Sequence, residues 1–194
     1  KLDVISTDSS GTKIWNNAFE AVNNKPIGDV LQSALVAGNN LFLSVNNSGK
    51  VLSIDPVSLK QTKSNNTLKS PRNLLMVGGQ LWVSDLYANK ISVLDTSNLK
   101  TVKEIVMPGW TENMVRWGDY VAVSAYKGEV LLLNPSTHAV ERTLKVDSGA
   151  LYLAVDAAMQ LWVACSLNGK SSLSAFALGQ IDIVEVAHWK MTGD

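Results

Sequence analysis

One cysteine, Cys165, stands in the 194 residues. No internal disulfide can staple the chain, and the residue says little about redox compartment. Set in "LWVACSL", it reads as a small apolar side chain packed inside a strand. No run of 18 apolar residues occurs, which excludes a membrane-spanning helix. The opening, Lys1-Leu2-Asp3, lacks the basic-then-apolar pattern of a secretion signal. Neither sign of charge is in excess: Lys plus Arg and Asp plus Glu both number 17. There is then no net field to draw phosphate backbones or anionic lipid, and nucleic acid is not an expected partner. Gly-rich phosphate loops and nucleophile elbows are missing as well. The two histidines, His138 in a turn and His188 near the end of an outer strand, sit at unrelated positions and make no metal set. No segment carries the 3.6-residue period of a long amphipathic helix.

What the chain does have is 46% apolar residues against 18% charged ones, enough to bury a core within the size of one domain. It also repeats itself. "LWVSDLYANKISVLD" at 81–95 recurs as "LFLSVNNSGKVLSID" at 41–55, "VAVSAYKGEVLLLN" at 121–134 and "LWVACSLNGKSSLSAF" at 161–176. Leu41, Leu81, Val121 and Leu161 stand 40 residues apart each time, as do Ser44, Ser84, Ser124 and Ala164. A fixed period of this length marks a repeat architecture.

Inside each unit the period is 2. Ile91, Val93 and Asp95 alternate with Ser92 and Leu94, and β-branched residues abound, so strands are implied. Each hairpin is preceded by another apolar run, such as "NLLMV" closing at Gly78-Gly79, and followed by a fourth, such as "TVKEIV", reached through Asp95-Thr96-Ser97-Asn98. Four short antiparallel strands per 40 residues is the unit of a β-propeller blade. The fold class predicted is therefore all-β, a propeller of four-stranded antiparallel blades in a single domain over 1–194. Complete blades fall at about 30–68, 70–106, 110–146 and 150–189, and a partial blade at 1–24 supplies only two last strands. Four and a half blades leave open edges, since ring closure is what hides sheet edges. A larger ring, or self-association through those edges, is expected.

In a four-stranded meander the turns alternate between two faces. The loops entering each blade therefore share a rim with the turns between second and third strands. The first set covers 27–32, 69–72, 107–112 and 146–152; the second covers 46–49, 86–89, 125–128 and 166–170. Loops on such a scaffold are where binding residues collect. One column of the first set, Gln32, Arg72, Glu112 and Tyr152, keeps the 40-residue spacing yet is unlike in charge and shape. It would stand beside the axis and face a ligand, with Trp110, Tyr87 and Tyr126 offering flat apolar contact. Two readings stand for the charged members: ligand contacts, or an Arg72–Glu112 ion pair between neighbouring blades with Gln32 and Tyr152 filling the channel. Trp110, between Gly109 and Thr111, is open between ligand contact and packing.

Trp82 and Trp162 share a repeat position with Phe42 and Ala122, which makes them blade packing. Trp15 falls in a strand of the partial blade, Trp117 beside a turn at Gly118, and Trp189 close to the chain end. Asp55, Asp95 and Asn134 end third strands and are expected to cap turns.

The stretch "LWVSDLYANKISVLDTSNLKTVKEIVMPG" resembles the YVTN-type propeller repeat. The match is good in the second and third units, fair in the fourth and weaker in the fifth, where "SSLSAF" lacks the acidic residue of "SVLD". "KPIGDVLQSALV", "LKSPRNLL" and "PGWTENMV" are similar to a branch of surface-exposed lipoproteins of Bacteroidales gut bacteria. That branch includes lipoproteins that capture vitamin B12 for an outer-membrane transporter, and its rings usually have seven blades. The resemblance implies a non-catalytic binding protein at the cell surface, capturing a small molecule such as a corrinoid, or a partner protein, on the loop face. It implies an exported lipoprotein that meets the membrane only through a lipid anchor, with leader and anchor outside this sequence. A transporter in the outer membrane is the implied partner. No cofactor, metal or catalytic set is expected. The alternative is an enzyme, because propellers related to this repeat include lactonases and lyases; Glu112 is then the one plausible acid or base near the axis.

Overall fold

A computed structural model describes residues 1–9, 11–179 and 182–192. The chain opens with a hairpin, β1 (Val4–Asp8) and β2 (Gly11–Trp15), followed by a short helix, α1 (Ala18–Asn23). Four meanders follow. The first is β3 (Leu31–Ala37), β4 (Asn40–Val45), β5 (Lys50–Ile54) and β6 (Gln61–Asn65). The second is β7 (Pro71–Val77), β8 (Gln80–Asp85), β9 (Lys90–Asp95) and β10 (Thr101–Val106), with a single 3₁₀ turn at Leu86–Ala88. The third is β11 (Thr111–Trp117), β12 (Tyr120–Ala125), β13 (Glu129–Leu133) and β14 (Val140–Lys145). The last is β15 (Ala150–Val155), β16 (Leu161–Leu167), β17 (Lys170–Leu178) and β18 (Ile183–Thr192). Each meander is one four-stranded sheet with its strands in sequence order, and β1-β2 is a two-stranded sheet. The fold is all-β, with the propeller's antiparallel blades: among the described residues, four complete and one of two strands.

The chain divides into two compact units, 1–83 with 94–102 and 84–93 with 103–194. In the first, β3 and β4 pack on β7. Phe42, Val51, Leu74, Leu81, Val83 and Leu94 form one core, each buried because the period-2 pattern sends it to the face between sheets. The other face of the first meander carries Leu43, Val45, Leu52 and Ile54, and it is covered by Phe19 and Ile27. Here the sequence and the structure differ. Of the span 1–24 assigned to a partial blade, 4–8 and 11–15 form the strands, and "AFEAVN" is a helix bounded by Asn17 and Asn24 in the left-handed conformation. Six residues are too few to display a helical period. The helix forms because Ala18 and Phe19 bury against the sheet, and because Asn23 bonds its neighbours: Nδ2 donates to the Phe19 and Leu59 carbonyls at 2.8 and 2.9 Å, and Oδ1 accepts from the Gln61 amide at 2.8 Å.

In the second unit β11 and β12 pack on β15. Its core joins Trp117, Ala122, Val130 and Leu132 to Leu153, Leu161, Val163, Cys165 and Phe176. Cys165 is 4% exposed in β16, and burial, the first cause, pushes its thiol pKa up. It behaves there as an apolar filler.

The third strands end as expected of their side chains. Asp55 Oδ1 accepts from the Val57 and Ser58 amides, Asp95 Oδ1 from the Ser97 amide, and Asn134 Oδ1 from the Ser136 and Thr137 amides. Each turn closes with a left-handed residue, Leu59, Leu99 or His138, whose amide donates to the carbonyl four residues back. The Ser58 amide and hydroxyl lower the Asp55 pKa, and the Ser97 hydroxyl and amide lower that of Asp95. A folded pKa below the unfolded value of about 3.9 means stabilisation that is complete above that value and lost as pH falls through the folded pKa. Urea midpoints are therefore expected to drop as pH falls from about 4. Asp55→Asn with Asp95→Asn, which keep the acceptor oxygen but not the titration, should flatten that drop; an unchanged acid limb would remove these turns as its source.

Candidate functional site

Within each unit, loops of the two sets are tied backbone to backbone before any ligand arrives. In the first unit the Asn46 amide donates to the Val30 carbonyl at 2.8 Å. In the second, Met107 donates to Asn89 at 2.8 Å, Tyr126 to Trp110 at 3.1 Å, Val146 to Gly128 at 3.1 Å and Gly149 to Tyr126 at 2.8 Å. The second-to-third strand turns at Gly49 and Gly128 require glycine. Gly49 has φ 60 and a Cβ there would stand 2.5 Å from the Leu68 carbonyl oxygen; Gly128 has φ 91 and would stand 2.8 Å from that of Val146.

The serine column of the repeat has a structural task. Ser44, Ser84 and Ser124 are fully buried. Their hydroxyls donate to carbonyls at the start of the following meander: Ser44 to Arg72 at 2.7 Å, Ser84 to Glu112 at 2.9 Å and Ser124 to Leu151 at 3.3 Å. The strands that carry Arg72, Glu112 and Tyr152 are thus pinned from the preceding meander. Ser44→Ala would leave the Arg72 carbonyl without this donor, at a cost of about 1–3 kcal/mol. A urea midpoint indistinguishable from that of the parent protein would contradict the tie.

Within the first unit, Arg72 Nη1 donates to Gln32 Oε1 at 3.1 Å, so two members of the unlike column meet. Gln32 is exposed and Arg72 half-buried. Within the second unit, Glu112 is half-buried near the start of β11, and Tyr152 is 68% exposed on β15, opposite Ala164. The aromatic residues form a group. Trp110 meets the Tyr87 ring edge-on at 5.7 Å between centroids and the Tyr126 ring, tilted, also at 5.7 Å. Trp110 is 46% exposed and Tyr87 52% exposed, and the three come from three different loops of the rim.

Two features escaped the sequence. Trp162 lies parallel to Trp189 at 5.7 Å, and its Nε1 donates to Asp156 Oδ2 at 2.8 Å. That bond is the first cause of the lowered Asp156 pKa. His188 Nδ1 stands 2.8 Å from Ser174 Oγ and 3.4 Å from a Glu185 carboxylate oxygen, while Nε2 is 3.5 Å from Asp147 Oδ2. Among the described residues no group of three or more His, Cys, Asp or Glu is arranged to hold a metal ion.

A family model for a domain of unknown function, DUF5074, matches residues 5–185. The chain belongs to this family. No curated protein matches the DUF5074 chain. Among solved structures it is similar to hydrazine synthase of Kuenenia stuttgartiensis, with 16% identity and a TM-score of 0.71 over 80% of this chain and 47% of that one. It is similar also to the dihydro-heme d1 dehydrogenase NirN, with 18% identity and a TM-score of 0.66 over 84% of this chain and 38% of that one. The WD40 domain of Neurospora crassa Pan2 matches with 15% identity and a TM-score of 0.60, over 75% of this chain and 48% of that one. At such identities the likeness is one of fold. The DUF5074 chain spans about half the length of these structures or less.

Proposed function

We propose that this DUF5074 domain is a non-catalytic binding module that takes a small molecule with a flat apolar face on its loop rim. The observation that carries the reading is the Tyr87–Trp110–Tyr126 group. An indole nearly half exposed, flanked by two phenol rings on loops whose backbones are already bonded together, presents apolar area at little ordering cost. Aromatic anchors with a few polar neighbours are the usual lining of a small-molecule site. Glu112, two positions along the chain from Trp110, and Tyr152 are the polar members of the rim column in the same unit. The resemblance to corrinoid-capturing surface lipoproteins makes a corrinoid the first ligand to test. It also motivates placing the protein at the bacterial surface, handing its ligand to an outer-membrane transporter.

Titration with cyanocobalamin by calorimetry, beside Trp110→Ala, tests this. Binding that weakens roughly ten- to hundredfold in the variant is the expected result, in line with the loss of a central aromatic anchor. No heat with the parent protein would remove the corrinoid. Equal affinity in Trp110→Ala would move the site off this part of the rim.

A further inference from the structure

A cavity of about 740 Å³ lies between the β14–β15 loop, the β16–β17 turn and the end of β18. That volume is within the range of small-ligand pockets. Cys165, Ser172 and Lys190 stand side by side across β16, β17 and β18, and all three line it. Ser172 is 3% exposed, and among the described residues its Oγ makes no hydrogen bond to an oxygen or nitrogen. The nearby polar group is the Cys165 thiol, a weak acceptor. A buried hydroxyl without a good partner costs free energy unless something supplies one. Asp147, Asn168 and Lys170 line the mouth. The wall is stiff: the Ser166 amide donates to the Gly149 carbonyl at 2.9 Å, and Gly149 has φ 78 with no room for a Cβ, 2.3 Å from the Ser166 carbonyl oxygen.

Among the described residues the lining holds two ammonium groups, of Lys170 and Lys190, against the one carboxylate of Asp147. Seryl hydroxyls and an amide add donors and acceptors, whereas no aromatic ring of the described residues lines it. We propose that this cavity is a binding site for a small hydroxylated organic acid, of the sugar-acid class. Lys170 and Lys190 hold the carboxylate, while Ser172, Asn168 and Asp147 meet hydroxyls. The proposal does not depend on the aromatic rim.

Cys165 is the sole cysteine, so its alkylation reports this cavity alone. With iodoacetamide, D-glucuronate is expected to slow labelling in a saturable manner and D-glucose to leave it unchanged. Lys190→Gln and Lys170→Gln, both at exposed positions where folding should survive, are each expected to raise the glucuronate concentration for half-protection roughly ten- to hundredfold, the size of a lost charge-assisted bond. Trp110→Ala is expected to leave protection intact, which separates this site from the rim. Equal protection by glucose would overturn the acid specificity. A thiol that never reacts, protection by neither sugar, or protection untouched by both lysine variants would overturn the site.

Discussion

Trp117→Ala is expected to cost the second unit about 3–5 kcal/mol, the range for deleting a fully buried tryptophan side chain. Trp117 ends β11 beside the Gly118 turn, where a sequence gives no hint of burial, yet it is 0% exposed and touches the core made by both meanders of that unit. Its indole also does polar work: Nε1 donates to the Met159 carbonyl at 2.7 Å. Met159 sits in the β15–β16 turn with φ 60, so the bond pins a turn whose backbone is otherwise unfavourable for a side-chain residue. The truncation therefore opens a cavity and orphans a carbonyl together. Trp117→Phe separates the two. It keeps most of the apolar contact, loses the donor, and should cost about 1–3 kcal/mol. Urea unfolding followed by far-ultraviolet dichroism measures both. A cost for Trp117→Ala no greater than that for Trp117→Phe would show that the cavity term is absent and that the packing is looser than described.

The repeat is legible because its physics is local. The period of 2 sets the strands, Gly78-Gly79 sets a turn, and the side chains of Asp55, Asp95 and Asn134 reach only three residues forward. The 40-residue return puts Gln32 and Arg72 in one column, and the structure brings them to 3.1 Å, a contact the sequence did not offer, since it paired Arg72 with a ligand or with Glu112. What stayed hidden depends on groups that side-chain identity does not encode. The column of Ser44, Ser84 and Ser124 was visible, but its partners are backbone carbonyls on the first strand of the following meander. The Trp162–Trp189 stack needs the register of β16, β17 and β18, in which Leu173 stands opposite both Ala164 and Trp189 while a bulge at Ala175–Phe176 shifts the pairing. Ser172 looks like any strand serine until the same register sets it between Cys165 and Lys190. The aromatic rim group was legible as residue type and loop position; its ring geometry was not.

Phe19→Ala is the second large effect expected, at about 3–5 kcal/mol on the first unit. The face of the first meander built by Leu43, Val45, Leu52 and Ile54 needs a cover, since each of these side chains contributes about 1.5–3 kcal/mol only while water is excluded. The β1–β2 hairpin does not present a buried side to it. Ile5, Ile14 and Trp15 are 66%, 59% and 47% exposed, and every residue of β2 is exposed. Phe19, 1% exposed on α1, takes that part together with Ile27. A six-residue helix has little stability of its own, because nucleation is unfavourable and too few turns follow it. Removing the ring should therefore release the helix as well as leave a void, and the Asn23 bonds to Leu59 and Gln61 should loosen with it. Hydrogen exchange distinguishes this from a simple cavity. Amides of α1 and of β5 are expected to lose protection together in Phe19→Ala, whereas Ile14→Ala on the exposed hairpin should change neither. Protection on β5 that survives the loss of Phe19 would mean the sheet face is held dry by something other than the helix.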